Sequence, residues 1–466
     1  MSTKALNSLT SMRQANYYTR SFVLLTRTTL NSTKVAIVGL GTVGSGLAKI
    51  LLKHGDRVAR HAGGAVELAH VVVRDTRKPR QCEVPAEIVT TNLDDVLRDD
   101  EVKVVAQLIG GLEPARTIML KLLNAGKDVV TANKALIAEH GQELFDRARE
   151  LGRSIAFEAS VAGGIPIIAN ISQCLTGNQI TSLRGILNGT SNFIVSQMEE
   201  KGRDYAAALK QAQELGYAEA DPSMDVDGTD AAQKLAILSH LAFGAHPDWA
   251  AIPREGIDSL EATDIQCAAD MGYRIKLLAV AQLRGDELEL HVSPTLVEKG
   301  TPLAEVRGAF NAVSVVGDAV GPVFYHGQGA GQMPTASAVA ADLIDMVVGR
   351  TTITFKTLEL WSGKKPRVGL NHPGQATSRY YLRVVVQDRP GVLAEIASVL
   401  GNHDISIASM IQHEAQDGTE ADGSTPVVSL VIMTHSASAG KMSQAIAIID
   451  ELDAVKEPSV RMRVLD

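Results

Sequence analysis

The chain has 466 residues, 45% of them hydrophobic and 21% charged, a globular balance with length for about three domains. Its 45 Lys+Arg against 53 Asp+Glu leave a net charge of −8, which excludes nucleic acid as the main partner, since phosphate binding needs clustered excess cation. No apolar run reaches the roughly 18 residues needed to span a bilayer, and Cys82, Cys174 and Cys267 form no C-x-x-C pair, so a reducing compartment is expected rather than a disulfide or zinc scaffold.

Residues 1–33 hold Lys4, Arg13, Arg20 and Arg27 and no acid, among many Ser and Thr. This is the composition of an organelle transit peptide, and equally of a disordered extension or an upstream start. There is no apolar segment with a small-residue cleavage site, so secretion is not expected. The expected location is cytoplasmic, or organellar if the extension is a targeting signal.

The apolar run Lys34–Val38 reads as a buried strand, followed by Gly39-Leu40-Gly41-Thr42-Val43-Gly44 and a helix to Lys53. G-x-G-x-x-G between strand and helix is a dinucleotide-binding fingerprint. Gly39 makes the turn, Gly41 admits the pyrophosphate, Gly44 lets helix pack on strand, and the helix-start N–H groups at Thr42 and Val43 face the phosphates. A second strand, Glu67–Val73, ends in Arg74-Asp75-Thr76-Arg77-Lys78. Arg74 and its basic neighbours suit a 2′-phosphate and favour NADP, whereas Asp75 suits the ribose of NAD; a solvated basic loop has the same composition. Strand Val102–Ile109 ends at Gly110, and strand Lys127–Thr131 runs into Ala132-Asn133-Lys134. Alternating strands and helices predict a parallel, doubly wound sheet, with Gly110, Thr131 and Lys134 at the carboxyl ends where ligands collect.

Ser154–Ala162 reads as a further strand whose single charge, Glu158, needs a partner or a cation. Leu183–Leu187 leads into Asn188-Gly189-Thr190-Ser191-Asn192 and a helix to Lys201. Next comes the segment from Gly216 to Lys234, with five carboxylates between Glu219 and Asp230. A helix over Asp230–Phe243 puts Asp230 and Lys234 on one face, four residues apart. A lysine among carboxylates stays charged and can be aimed at a carbonyl oxygen as acid or base, while Glu219 could grip an ammonium. On spacing alone a capped helix with an ordinary ion pair is an equal reading, and the acids do not follow EF-hand order.

The Gly39–Gly44 loop, Thr131-Ala132-Asn133-Lys134, Glu158 to Pro166, Asn188 to Asn192 and Gly216 to Lys234 together resemble homoserine dehydrogenases, in that family's order over residues 34–350. The resemblance implies NAD(P)-linked interconversion of L-aspartate 4-semialdehyde and L-homoserine. It implies Lys234 as acid/base, with Lys134 as a second catalytic or cofactor-contacting lysine. Glu219, Asp230, Thr190, Tyr217 and Asp225 would bind substrate. Gly216 would lie near the cofactor, and Glu158 with the carbonyls of Val161, Gly163 and Ile165 would hold a monovalent cation, sodium being favoured. The segment from Gly327 to Gly331 before a helix would close over the cofactor. A homodimer or homotetramer is expected, through strands of the central domain.

A helix over Ile265–Ala281 and strands at Glu287–Val292 and Val313–Val316 complete that region. After a linker at 362–378, the order strand Arg379–Gln387, helix Val392–Asn402, strand Ile405–His413, an acidic loop, strand Pro426–Thr434, helix Ala439–Leu452 and strand Val460–Leu465 is ferredoxin-like. Asp388-Arg389-Pro390-Gly391 at its first turn resembles an ACT domain, which implies an amino-acid effector, L-threonine being favoured, at Asp388 and Gly391; a purely structural dimerisation module is the other reading. The expected domains are a Rossmann-type parallel-sheet unit at 34–165 completed by about 325–350, an α+β catalytic and dimerisation domain at 166–324, and the ACT module at 379–466. Aspartate-semialdehyde dehydrogenase is the rival for the substrate, but it needs a cysteine nucleophile and none of the three cysteines lies in such a context. A non-catalytic sensor on the same domains is disfavoured by the presence of both Lys234 and Glu219.

Overall fold

The computed structural model describes residues 32–363, 365–412 and 426–465. The basic extension up to residue 31 and the acidic loop at 413–425 lie outside the described residues. The chain opens with β1 (Thr33–Val38), α1 (Thr42–Lys53), β2 (Val66–Val72), β3 (Val89–Thr90) and β4 (Val102–Gln107). It continues with α2 (Ala115–Asn124), β5 (Asp128–Thr131), α3 (Lys134–Glu150) and β6 (Ile155–Ala156). The strands form one parallel sheet in the order β3-β2-β1-β4-β5-β6. Val35, Ala36, Ile37, Val104, Val105 and Val129 are almost wholly buried, as expected of strands covered on both faces. The order reverses between β1 and β4, and the crevice at that reversal is where a ligand has room.

The strand expected over Ser154–Ala162 is cut to Ile155–Ala156. The chain then coils into a 3-10 turn, Glu158–Ser160, because Glu158 points both carboxylate oxygens at backbone amides of the next segment.

A second sheet is antiparallel: β7 (Ile180–Ile186), β8 (Tyr273–Arg284), β9 (Glu287–Glu298), β10 (Phe310–Gly317) and β11 (Gly321–Gln328), ordered β11-β10-β7-β8-β9. Across it lie α4 (Gly189–Lys201), α5 (Thr229–Phe243) and α6 (Ala262–Asp270). The helix expected over Ile265–Ala281 is only half right. It ends at Asp270, Gly272 turns the chain at φ +85°, and Tyr273–Arg284 is a strand paired residue for residue with β9. The apolar run at 277–281 lacks alternation because it is buried in the sheet, and the two-residue Gly285-Asp286 turn closes the hairpin.

The chain then returns to the first sheet. In α7 (Gln332–Val347), Ala336 and the Gln332 carbonyl press on α1 so closely that a Cβ at Gly46 would meet them at 2.7 and 2.8 Å. After α8 (Arg350–Leu358), β12 (Gly369–Leu370) pairs with β9, so the stretch read as a linker is partly strand. The C-terminal unit comprises β13 (Thr377–Gln387), α9 (Val392–Asn402), β14 (Ile407–Gln412), β15 (Val427–Thr434), β16 (Ala437–Ser438), α10 (Ala439–Asp450) and β17 (Val460–Val464). Its main strands run β17-β13-β15-β14, a ferredoxin-like sheet with its own core around Leu382, Ile396, Ile432 and Ile449. β17 pairs in parallel with β9 through Arg463↔Thr295 and Val464↔Leu296, making the second and third units one continuous sheet. The joint is pinned by a buried pair: Arg383 on β13 donates to both carboxylate oxygens of Asp264 on α6, at 2.7 and 3.0 Å, and the Tyr381 hydroxyl donates to the same carboxylate at 3.1 Å.

Candidate active site

The Gly39–Gly44 loop leaves β1 and starts α1. Gly39 adopts φ +102°, and a Cβ on Gly44 would stand 2.1 Å from the Gly39 carbonyl oxygen, so neither position accepts a side chain. At Gly41 a Cβ would meet nothing within 4 Å, and no side chain caps the helix there. The N–H groups at Thr42 and Val43 therefore open onto free space beside Gly41, a cradle that fits a dinucleotide pyrophosphate. Arg74 is exposed, and its guanidinium makes no hydrogen bond or ion pair among the described residues. The Asp75 carboxylate accepts the backbone N–H of Arg77 at 2.9 Å, so it is turned into its own loop. Arg80, which sequence reading passed over, bridges Leu40 O at 3.0 Å and Asp75 O at 2.6 Å and ties this loop to the glycine turn. Gly110 is exposed at the end of β4, and Gly331 caps α7 at φ +119°. Thr131 is buried, its hydroxyl donating to Gln107 at 3.2 Å and accepting the Asn133 N–H, so it supports the crevice from below. Gly216, at φ +75°, ends the preceding helix in an exposed turn.

The two lysines converge from different units on one carboxylate. Asn133 caps α3 by accepting the Leu136 N–H at 3.0 Å, and its side-chain amide holds Ile109 O and Gly111 O at 3.0 and 2.6 Å. Lys134 is therefore fixed at the start of α3, with its Nζ 3.1 Å from Asp230 Oδ1. Lys234, one turn after Asp230 on α5, donates to Asp230 Oδ2 and to Leu187 O, both at 2.7 Å. An ammonium has three N–H groups, so one remains free for a ligand oxygen. Asn188 caps α4 through Ser191 N and donates to Asp225 Oδ1 and Asp230 Oδ2, both at 2.8 Å.

Burial alone would raise Asp230, yet the two ammonium groups and the bonds from Lys234 and Asn188 outweigh it and hold the carboxyl down at about 2. Asp225 moves the other way: burial and the Asp230 charge beside it lift its carboxyl against the Asn188 hydrogen bond. Thr190 donates to the Tyr217 carbonyl at 2.8 Å, and the Tyr217 ring tilts over Phe193 with centroids 4.9 Å apart. Glu219 is exposed, and its carboxylate has no hydrogen bond or ion pair among the described residues. The spacing that singled out Asp230 and Lys234 is thus realised. Asn133, Asn188 and the Leu187 carbonyl were not assigned roles from sequence, although both asparagines stand where helix caps are favoured.

Glu158 is 5% exposed and accepts the N–H groups of Ile168 and Ala169 at 2.9 and 2.7 Å. Burial pushes it up to about 7 despite those bonds, and Asp345 nearby adds to the rise. Its own N–H donates to Asp342 at 2.8 Å, whose carboxyl is likewise raised by burial and by Glu158. A cavity of about 290 Å³ adjoins these acids together with Gly163. No Lys or Arg neutralises Glu158 among the described residues. Ala162 and Gly163 are consecutive left-handed residues, at φ +53° and +43°, while Val161 and Ile165 are buried in the same turn. Oxygen ligands around an uncompensated carboxylate fit a hard monovalent cation. In the C-terminal unit Gly391, at φ +98°, starts α9 with its helix-start amides uncapped, and Asp388 is exposed, accepting from Gln412 at 3.4 Å.

Comparison with known proteins agrees across all three units. Residues 39–158 match the profile of the homoserine dehydrogenase NAD-binding domain, 166–344 that of homoserine dehydrogenase, and 380–454 that of the ACT domain. The homoserine dehydrogenase of Pseudomonas aeruginosa is 45% identical over 435 residues, covering 92% of this chain and 98% of that protein. That of Synechocystis is 42% identical, covering 93% and 99%. Among solved structures, a homoserine dehydrogenase from Thiobacillus denitrificans aligns with a TM-score of 0.85 and 41% identity over 94% of this chain and 99% of that one. A hyperthermophilic archaeal homoserine dehydrogenase in complex with NADPH aligns with a TM-score of 0.57 and 27% identity over 67% and 97%. With a glycine cradle for a dinucleotide, two lysines on one carboxylate and relatives alike over nearly their whole length, the chain belongs to the homoserine dehydrogenase family.

Proposed function

We propose that Lys234 is the acid/base that interconverts L-homoserine and L-aspartate 4-semialdehyde, with Lys134 and Asp230 holding it in place. The observation that carries this reading is the free N–H of Lys234, left over after Asp230 and Leu187 take the other two. The bound nicotinamide supplies the hydride acceptor or donor. In reduction the Lys234 ammonium gives its free proton to the carbonyl oxygen as hydride reaches the carbon; in oxidation the neutral Lys234 amine, its proton first released to solvent, takes the hydroxyl proton as hydride leaves. Asp230 stays ionised at every physiological pH and orients both lysine side chains. Glu219 and Asp225 present negative charge to the substrate ammonium, with Thr190 and Tyr217 walling the pocket. The test is Lys234→Ala, which should lose most turnover, about 10²-fold or more, while NADPH binding by fluorescence titration is retained. Turnover surviving in that variant would overturn the assignment.

The open guanidinium of Arg74 and the engaged carboxylate of Asp75 support NADP as the preferred cofactor, with NAD the weaker alternative. Charge at Glu158 and the carbonyls of Val161, Gly163 and Ile165 support a sodium site that steadies the junction of the two units. L-threonine is the favoured effector, at the Asp388 and Gly391 turn, and a place in threonine, methionine and isoleucine synthesis follows from that branch-point chemistry. Exposed Phe310 on β10, Phe324 on β11 and Val320 in the turn between them support a homodimer or homotetramer. No disulfide joins Cys82, Cys174 and Cys267 among the described residues, which suits a reducing cytoplasm. Homoserine oxidation assayed with NAD and NADP, with and without threonine, reads cofactor preference and inhibition together.

A further inference from the structure

The two helices that carry the lysines are bridged by a residue far along the chain. Between α8 and β12 the backbone turns through two left-handed non-glycine residues, Glu359 at φ +48° and Trp361 at φ +51°, a conformation that persists only where its surroundings hold it. Arg149 on α3 does this from one side, donating to Leu360 O at 2.6 Å and Trp361 O at 3.0 Å. His240 on α5 does it from the other: its Nε2 accepts the Trp361 N–H at 2.6 Å, while its Nδ1 pairs with Ala245 O at 2.9 Å. The indole lies flat on the His240 ring, centroids 4.3 Å apart and 15° from parallel, and meets Phe145 on α3 at 4.5 Å. It sits so close to α3 that a Cβ on Gly141 would be 2.7 Å from its Nε1. Beside it, a cavity of about 410 Å³ is lined from α3 by Ala138 and Gln142 and from α5 by Ile237. Packing between the helices is thus incomplete at this level, and the indole is a large group that spans them.

Two turns before Gly141 on α3 stands Lys134; nearly two turns before His240 on α5 stands Lys234. We propose that Trp361 is a positioning residue for these lysines: it sets the spacing of α3 and α5, and with it the Lys134–Asp230–Lys234 bridge. The inference rests on the acid/base reading of Lys234 given above. Its physical basis is that proton transfer needs the donor held at hydrogen-bond distance, so a displacement of about 1 Å costs rate far more than binding. The same residue lies on the covalent path to the C-terminal module.

The test compares Trp361→Ala, Trp361→Phe, Gly141→Ala and the double variant Gly141→Ala/Trp361→Ala in homoserine oxidation, with NADPH binding measured on each. Trp361→Ala and Gly141→Ala should each lower kcat about tenfold or more, with KM and NADPH affinity within about twofold. Trp361→Phe, which keeps a ring on His240, should recover most of the loss. In the double variant the Gly141→Ala methyl meets no indole and should add nothing further. Gly141→Ala is favoured by helix propensity, so it carries the test even if Trp361→Ala does not fold. An unchanged kcat in folded Gly141→Ala, or a loss of NADPH affinity in step with kcat, would overturn the proposal. Lys234→Ala in the same assay separates the two readings: if it retains turnover, the acid/base assignment fails by itself.

Discussion

Two carboxylates in this enzyme carry opposite electrostatic histories, and pH distinguishes them. Asp230 is held at about 2 in the folded protein against an ordinary 3.8, so its ionised form stabilises the fold above about pH 4 and that contribution is lost as pH falls through 2. The shift corresponds to roughly 2 kcal/mol. Asp230→Asn should therefore lower the unfolding midpoint at pH 7, converge with the parent near pH 2, and lose turnover, as read by melting curves and assay. Glu158 is raised from 4.5 to about 7, so burial destabilises the fold increasingly as pH rises through that window, by about 3 kcal/mol at most. Glu158→Gln should raise the melting temperature at pH 8 and leave it unchanged at pH 4. A bound cation offsets the same penalty, so the gain at pH 8 should shrink in sodium chloride relative to choline chloride. An equal gain in both salts would count against a sodium site.

At the scale of elements, the turn between β1 and α1 separates two uses of glycine. A methyl at Gly44 collides with the Gly39 carbonyl inside the protein, whereas a methyl at Gly41 collides with nothing of the protein. Gly44→Ala should thus disturb the packing of α1 on β1 and lower stability. Gly41→Ala should leave the melting temperature within a degree or two yet weaken NADPH binding by about tenfold or more, since its methyl fills space left for the pyrophosphate. Thermal melts beside cofactor titrations on the two variants check the contrast. A Gly41→Ala protein that binds NADPH as tightly as the parent would move the pyrophosphate away from this turn. The segment after α6 teaches a different lesson. Leu277 to Ala281 is apolar without a period of two because β8 is covered on both faces, so only its pairing with β9 distinguishes strand from helix.

Across the whole molecule, catalytic and C-terminal units are joined by the β9–β17 ladder and by Arg383 on Asp264, a pair almost entirely buried. Removing one partner leaves the other charge stranded, at a cost of roughly 3–5 kcal/mol, whereas replacing both by apolar groups is nearer neutral. Arg383→Met should lower the urea midpoint of unfolding and blunt the threonine inhibition proposed above. Arg383→Met with Asp264→Leu should recover stability without recovering that response. A threonine response preserved in both variants would show that the signal leaves the C-terminal unit by another route, the segment around Trp361 being the one the structure offers.

What the sequence determined by itself is local. The glycine loop, the alternation of strand and helix, the four-residue step from Asp230 to Lys234 and the ferredoxin-like order at the C-terminus are all encoded within stretches of a few dozen residues, because turns, caps and helix faces depend on neighbours in the chain. Lys134 and Lys234 were each singled out this way, but that they share one carboxylate was not readable, since a hundred residues separate them. The tertiary structure decided the matters that depend on distant partners: the amides that bend Glu158 out of a strand, the pairing that makes Tyr273–Arg284 a strand, the sheet that runs on from β9 into β17, and the Trp361 ring laid across α3 and α5. In each case the energy comes from burial or hydrogen bonding against a segment far away in sequence, which no local pattern contains.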